Sequence, residues 1–297
     1  MAMWNCKNCG QEFKRKNDKY NPPRFCGKAC VGNGHGTHGG GSKFRKHLII
    51  PDTQCKKGVS LQHLKWVGQY IAEKKPDVVI HLGDHWDMPS LSSYDVGKKS
   101  FEGRRYVDDI TAGNAGMDLI MEGIGKMKVK PRLVFIMGNH EQRIERAVES
   151  DAKAEGLITY DDFNLKKYGW EVVPFRVPIL IDGIQYCHYF YNPMSGKPYS
   201  GAMETRLKNI GCSFTMGHQQ GLVYGRRELS SGKTLNGLVA GSFYQHDEEY
   251  KGPQGNAHWR GIVVKHEVRD GNYDPMFVSL DYLRRTYAKP DGKPLRK

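Results

Sequence analysis

Five apolar runs in this chain each end on a residue able to bind a metal ion, and that pattern restricts the fold more than any other feature. His47-Leu48-Ile49-Ile50 leads into Pro51-Asp52, and Val78-Val79-Ile80-His81-Leu82 leads into Gly83-Asp84. Arg132-Leu133-Val134-Phe135-Ile136-Met137 then leads into Gly138-Asn139-His140-Glu141. Further on, Ile184-Gln185-Tyr186-Cys187 ends at His188, and Cys212-Ser213-Phe214-Thr215-Met216 ends at Gly217-His218. Between the first two runs Leu61, Leu64, Val67 and Ile71 recur at helical spacing, and Pro76-Asp77 stops the helix. A second helix is expected within residues 107–127, so that strands and helices alternate and the first three strands run parallel. Ligands of parallel α/β sheets collect outside the carboxyl ends of the strands. The run ends should therefore converge on one site.

At 297 residues the chain has room for one sizeable α/β domain and a small appendage. With 38% hydrophobic and 26% charged residues, it has the composition of a globular protein. No apolar run approaches the ~20 residues that span a bilayer, and the start, Met1-Ala2-Met3-Trp4-Asn5-Cys6-Lys7, lacks the pattern of a secretory signal. The expectation is a cytoplasmic protein that does not meet the membrane. Residues 1–46 hold ten Lys and Arg against two Asp and Glu, a net of +8 within a total of +13. A basic segment of this kind suits a polyanion, nucleic acid above all, because neutralising phosphates releases their counterions.

Four of the seven cysteines lie in the first thirty residues, as Cys6-x2-Cys9 and Cys26-x3-Cys30. In a cytosolic chain this spacing reads as a tetrahedral Zn2+ site of four thiolates. The polar stretch between the pairs cannot hold itself together without a metal. Its resemblance is to the short four-cysteine zinc fingers of treble-clef or ribbon type, whose partner is nucleic acid or protein. The glycine-rich residues 32–44 read as a flexible linker, which places a finger at 1–31, a catalytic domain at 45–287 and a flexible basic tail at 288–297. Cys55, Cys187 and Cys212 stand alone and read as buried apolar thiols.

In their order, Asp52-Thr53-Gln54, Gly83-Asp84-His85-Trp86-Asp87, Gly138-Asn139-His140-Glu141, His188 and Gly217-His218-Gln219-Gln220 resemble the motifs of the calcineurin-like metallophosphoesterases. The likeness spans roughly residues 45–285. Asp87-Met88-Pro89-Ser90-Leu91-Ser92-Ser93-Tyr94 and Pro253-Gln254-Gly255-Asn256-Ala257-His258-Trp259-Arg260 are similar to stretches of phage-encoded members, for which the compartment would be the host cytoplasm. The resemblance implies a two-sheet αββα sandwich preceded by the finger, and hydrolysis of a phosphoester by a metal-activated hydroxide. It implies that Asp84 bridges two divalent ions, one of them also held by Asn139, His188 and His218. The other would be held by Asp52 with Gln54 and Gln220, where the family pattern has histidines. Amide oxygens are hard, weak donors, so this position favours Mn2+ or Mg2+ over Zn2+ and leaves open whether one or two ions are bound.

His140, oriented by Asp87, is implied to stabilise the transition state or protonate the leaving oxygen. Arg104, Arg105 and Arg143 are candidate grips on phosphate. Trp259 is able to stack a base but reads more readily as a core aromatic. Three functions share these motifs: a phosphodiesterase or nuclease acting on DNA or RNA, a phosphomonoesterase acting on nucleotides or phosphoproteins, and a zinc-finger nucleic-acid-binding protein with a decayed hydrolase site. For the finger the expected outcome is one tightly held Zn2+ per chain by elemental analysis, lost when Cys6→Ser and Cys9→Ser are combined.

Overall fold

The computed structural model describes residues 2–5, 12–15, 44–248 and 251–288, and the chain divides into two units, Met1–Lys43 and Phe44–Lys297. In the first unit, strand β1 (Ala2–Asn5) pairs antiparallel with β2 (Glu12–Arg15), Ala2 opposite Arg15 and Asn5 opposite Glu12. Cys6, Cys9, Cys26 and Cys30 lie outside the described residues.

The second unit is built on a six-stranded sheet. β3 (Arg45–Ile50), β4 (Val78–His81), β5 (Arg132–Ile136) and β6 (Glu171–Val173) run parallel, in that spatial order. The antiparallel pair β12 (Gly261–Arg269) and β13 (Asn272–Ser279) extends the sheet on the β3 side. A second sheet of five strands has the order β10-β11-β9-β8-β7. These strands are β7 (Ile179–Ile181), β8 (Ile184–Tyr186), β9 (Phe214–Met216), β10 (Leu222–Glu228) and β11 (Thr234–Ala240).

Alternation along the strands sets the layers. On β3, Leu48 and Ile50 face the helices, whereas Ile49 faces the second sheet, because successive side chains of a strand point to opposite faces. Helices α1 (Gln62–Lys74), α2 (Tyr106–Gly125) and the later α6 (Leu280–Tyr287) cover the outer face of the six-stranded sheet, with Leu64, Val67, Ile71, Ile120 and Leu283 in that core. Between the sheets lie Ile49, Ile80, Val134, Ile181, Tyr186 and Leu238. Helix α4 (Met203–Ile210) closes the far side of the five-stranded sheet through Met203 and Leu207. The short helices α3 (Arg143–Ser150) and α5 (Gly252–Asn256) complete the unit. The result is the αββα sandwich expected from the sequence. Strands β3, β4, β5, β8 and β9 fall on the five apolar runs, and the helix expected within 107–127 spans Tyr106–Gly125. Cys55 and Cys187 are buried thiols, Cys212 is partly buried, and Trp259 packs half-buried against the inter-sheet core. Among the described residues no helix is long and apolar enough to cross a membrane.

Helix α1 ends where Lys75 takes a left-handed conformation (φ 49°), its N–H bonding to Ile71 O at 2.9 Å, and Pro76 then prevents continuation. Its packing on α2 is unusually close. A Cβ on Gly123 would stand 2.1 Å from the carbonyl oxygen of Gly68, so the helices meet backbone to backbone. Gly123→Val is expected to destabilise the protein by at least about 1–3 kcal/mol, seen as a lower denaturant midpoint at unchanged slope. Gly125→Ala, where a Cβ meets nothing within 4 Å, should leave stability equal or raise it by about 0.4–1 kcal/mol.

Candidate metal centre

All five run ends reach one edge of the sandwich. Backbone hydrogen bonds fasten the loops to one another there. Thr53 N–H and Gln54 N–H donate to Asp84 O (3.2 and 2.9 Å), Phe243 N–H donates to Asp52 O (2.8 Å), and Gly217 N–H donates to His188 O (3.0 Å). Asp52 Oδ1 accepts from His218 N–H at 3.1 Å, and Asp84 Oδ1 accepts from His140 N–H at 3.0 Å. Gln54, Asp84, His218 and Gln220 all have positive φ, between 41° and 64°. Such left-handed backbone is disfavoured for non-glycine residues and persists where the surroundings enforce it. Gly83 has φ +91°, and a Cβ there would lie 2.5 Å from Ile136 O and 2.6 Å from Gly138 N. Only glycine lets the loop after β4 approach the loop after β5 this closely.

Glu141 is the fastening between those two loops. Its Oε2 accepts from Asp84 N–H (2.9 Å) and Gly138 N–H (2.8 Å), and its Oε1 from His85 N–H (2.7 Å) and Trp86 N–H (3.1 Å). The side chain is fully buried. Sequence reading passed over it as part of the Gly-Asn-His-Glu run, although an acidic residue next to two glycine-led loops was the signal available.

Four ligand atoms converge beside it. Asn139 Oδ1 lies 2.9 Å from His188 Nε2 and 2.8 Å from His218 Nδ1, and Asp84 Oδ2 lies 3.4 Å from His188 Nε2. Single ligand atoms of Asp84, His188 and His218 all fall within 4.8 Å of one another. Nδ1 of His188 is 2.6 Å from Leu82 O, so it carries the proton and leaves Nε2 to face the cluster, the second-sphere arrangement of a metal-binding imidazole. Asn139, His140 and His218 are half-buried and open the cluster to solvent.

Burial and neighbouring charges together set the protonation of this cluster. Burial and the Asp84 charge push the Asp52 carboxyl up to about 7. Burial opposes ionisation of Asp84 too, but the His140 and His188 charges outweigh it and hold that carboxyl well below the usual range. His188 resists burial and is raised to about 9, chiefly by the Asp84 charge, while burial and His188 together drop His218 to about 4. One carboxylate, an amide oxygen and two imidazoles would fit a divalent ion, whose binding would displace the proton that the bare site holds on His188. The donor set of Asp84, Asn139, His188 and His218 is complete for one ion.

Beside it, Asp52 Oδ2 and Gln54 Oε1 are buried with no hydrogen-bond partner. Gln220 Oε1 accepts from Tyr244 O–H at 2.9 Å and also from the Lys251 ammonium. Sequence patterns gave no hint of Tyr244 or Lys251, since neither continues a strand-end motif.

His140 Nδ1 lies 2.9 Å from Asp87 Oδ1, an ion pair by distance without the in-line N–H geometry of a hydrogen bond. Its Nε2 is 3.8 Å from Asp84 Oδ2. Burial disfavours the imidazolium, yet Asp84 and Asp87 outweigh burial and the Arg143 charge, so the group is raised. Lys56 sits 3.4 Å from Asp87 and 2.7 Å from Glu248. Arg143 donates to the carbonyls of Asp87 (2.7 Å) and Met88 (3.0 Å), with its guanidinium 3.3 Å from His140 Nε2. It stands at the centre, held by backbone. Arg104 is instead bound to Pro89 O and Asp95, and exposed Arg105 donates to Arg104 O. His246 pairs with Glu248 and His258 with the Ser242 hydroxyl.

No protein-family model matches the chain, and no curated protein is similar to it. Among solved structures it is similar to Yfce, a phosphoesterase from E. coli, at 13% identity over 79% of this chain and 99% of that one, with a TM-score of 0.36. It is similar to a dimetal phosphatase from Danio rerio at 11% identity over 80% and 100%, TM-score 0.37. A Thermus thermophilus protein gives 10% identity over 79% and 99%, TM-score 0.34. Likenesses this distant carry no assignment of activity, which rests on the side chains of the site.

Glu141→Gln replaces one acceptor oxygen by an amide nitrogen facing backbone N–H groups. Leaving those donors unmatched is expected to cost about 2–4 kcal/mol in urea unfolding. It should also weaken Mn2+ binding roughly 10–100-fold by calorimetry, as losses of supporting groups around metal ligands do.

Proposed function

We propose that this protein is a metal-dependent phosphoester hydrolase, a phosphodiesterase that cleaves nucleic acid. The observation carrying the reading is the convergence of Asp84, Asn139, His188 and His218 around one position, with the His140–Asp87 ion pair beside it. When bound there, a divalent ion such as Mn2+ or Mg2+ lowers the pKa of water and polarises phosphoryl oxygens.

The protein's own groups do the rest. Asn139 and His218 hold their ligand atoms at the open face, where a phosphate can enter. Asp87 at Nδ1 favours the protonated form of His140 and leaves its Nε2 on the side of the cluster, so that this atom can deliver a proton to the departing oxygen. Arg143 fixes the Asp87–Met88 backbone and keeps a fixed positive charge at Nε2, adding to the field that favours the negative charge developing on phosphorus oxygens.

Two features favour nucleic acid over a small monoester. The segment of residues 1–46 carries a net of +8, suited to a polyanion. A cleft of about 500 Å3 is lined by Met137, Tyr160, Asn164, Leu165 and Phe175, and the Phe175 ring lies 6.1 Å from that of His188. An aromatic cleft next to the phosphate position suits a stacked base.

The test compares purified protein with Mn2+ on single- and double-stranded DNA, on RNA, and on p-nitrophenyl mono- and diesters. Cleavage of a nucleic acid and of the diester, abolished by Asp84→Asn and lowered about 10²–10⁴-fold by His140→Ala, is the expected result. Rapid phosphate release from the monoester with nucleic acids left intact would overturn the diesterase reading.

A further inference from the structure

The second position, beside Asp52, does not have the make-up of a metal site like the first. Its side-chain donors are one carboxylate, Asp52, and two amides, Gln54 and Gln220, with no imidazole. The amide oxygen of Gln220 has two lone pairs, and both are engaged: Tyr244 O–H donates to it at 2.9 Å, and the Lys251 ammonium donates to it as well. Lys251 Nζ also donates to Tyr244 Oη at 3.0 Å and stands 5.7 Å from the centre of the Tyr244 ring. Tyr244 is fully buried, so this geometry is built into the wall of the site.

We propose that the Lys251 ammonium is the cation of the second position, so that the centre holds one divalent ion and one organic charge in place of two divalent ions. The proposal rests on reading the first position as a metal site, and it concerns what stands next to that ion.

Two observations support it. Lys251 already donates to Gln220, and the neighbouring Asp52 Oδ2 and Gln54 Oε1 are buried acceptors that no donor reaches, so the position presents oxygens only, the atoms an ammonium with three N–H donors needs. Asp52 and Asp84 are buried neighbours whose charges repel, and a positive group between the loops relieves that repulsion. A lysine charge in this place would add a second positive charge at the edge where a phosphate would bind. It serves as a fixed point charge that needs no metal supply and does not dissociate.

Counting Mn2+ distinguishes the two arrangements without reference to turnover. The full chain, with its cysteines loaded with zinc, is titrated with Mn2+ and read by electron paramagnetic resonance and elemental analysis. The wild type is expected to bind one Mn2+ per chain, with the spectrum of an isolated ion. Lys251→Ala is expected to admit a second Mn2+ and to show the spin-coupled spectrum of a close pair, while Lys251→Arg, which retains the charge, stays at one. A coupled pair of ions in the wild type overturns the inference and leaves the hydrolase reading intact. A single ion in Lys251→Ala at saturating Mn2+ also overturns it, because the lysine then excludes nothing. No bound Mn2+ in the wild type overturns both.

Discussion

Everything at the working edge of this protein depends on one buried carboxylate, that of Glu141. Four backbone N–H groups, from Asp84, His85, Trp86 and Gly138, converge on its two oxygens. Hydrogen bonds to a charged acceptor are worth about 1.5–3 kcal/mol each, enough to hold the loops after β4 and β5 in contact against the strain of a left-handed Asp84. Without that contact, Asp84 would not face Asn139, and His140 would not sit between Asp84 and Asp87. The carboxylate orders its neighbours while taking no place among the ligands.

Around that fastening the site is layered by charge. Two adjacent buried carboxylates, Asp52 and Asp84, lie among His188, His140, Lys56, Arg143 and Lys251, groups of different freedom. His188 can exchange its proton for a metal ion. In the proposed reaction His140 supplies the proton, whereas Arg143 and Lys56 are tied to backbone and carboxylate and contribute a constant field. On the proposed reading this grading separates one place for a divalent ion from one place for proton transfer, although all of these groups share one small edge of the sandwich.

The αββα layers and the ligands at the carboxyl ends of the strands were legible in sequence because both follow from local rules. Apolar runs bounded by Gly-Asp or Gly-Asn mark where a buried strand stops, and the periodicity of Leu61, Leu64, Val67 and Ile71 marks the helix that returns the chain. Strands β10 to β13 were not read out; Leu222–Glu228, for one, is partly exposed and passes from Leu222-Val223-Tyr224 into Arg226-Arg227-Glu228, so it forms no apolar run. Arg104 illustrates the limit for side chains: as a residue type it suits phosphate, yet it is committed to Asp95 and Pro89 O, a pairing that depends on how one loop folds back on itself.

The sequence by itself determined which residues can bind metal, their order, and the anomaly of Gln54 and Gln220, because residue identity and strand periodicity are properties of the chain read locally. Only the tertiary structure decided what meets those residues. Glu141 reaches across 57 positions to Asp84, and Lys251 reaches across 31 to Gln220. Contacts of that span arise from the packing of separate loops against a common edge, where distance in space has no counterpart in sequence spacing. The run ends named the site, and the packing of separate loops determined that a lysine meets Gln220 there.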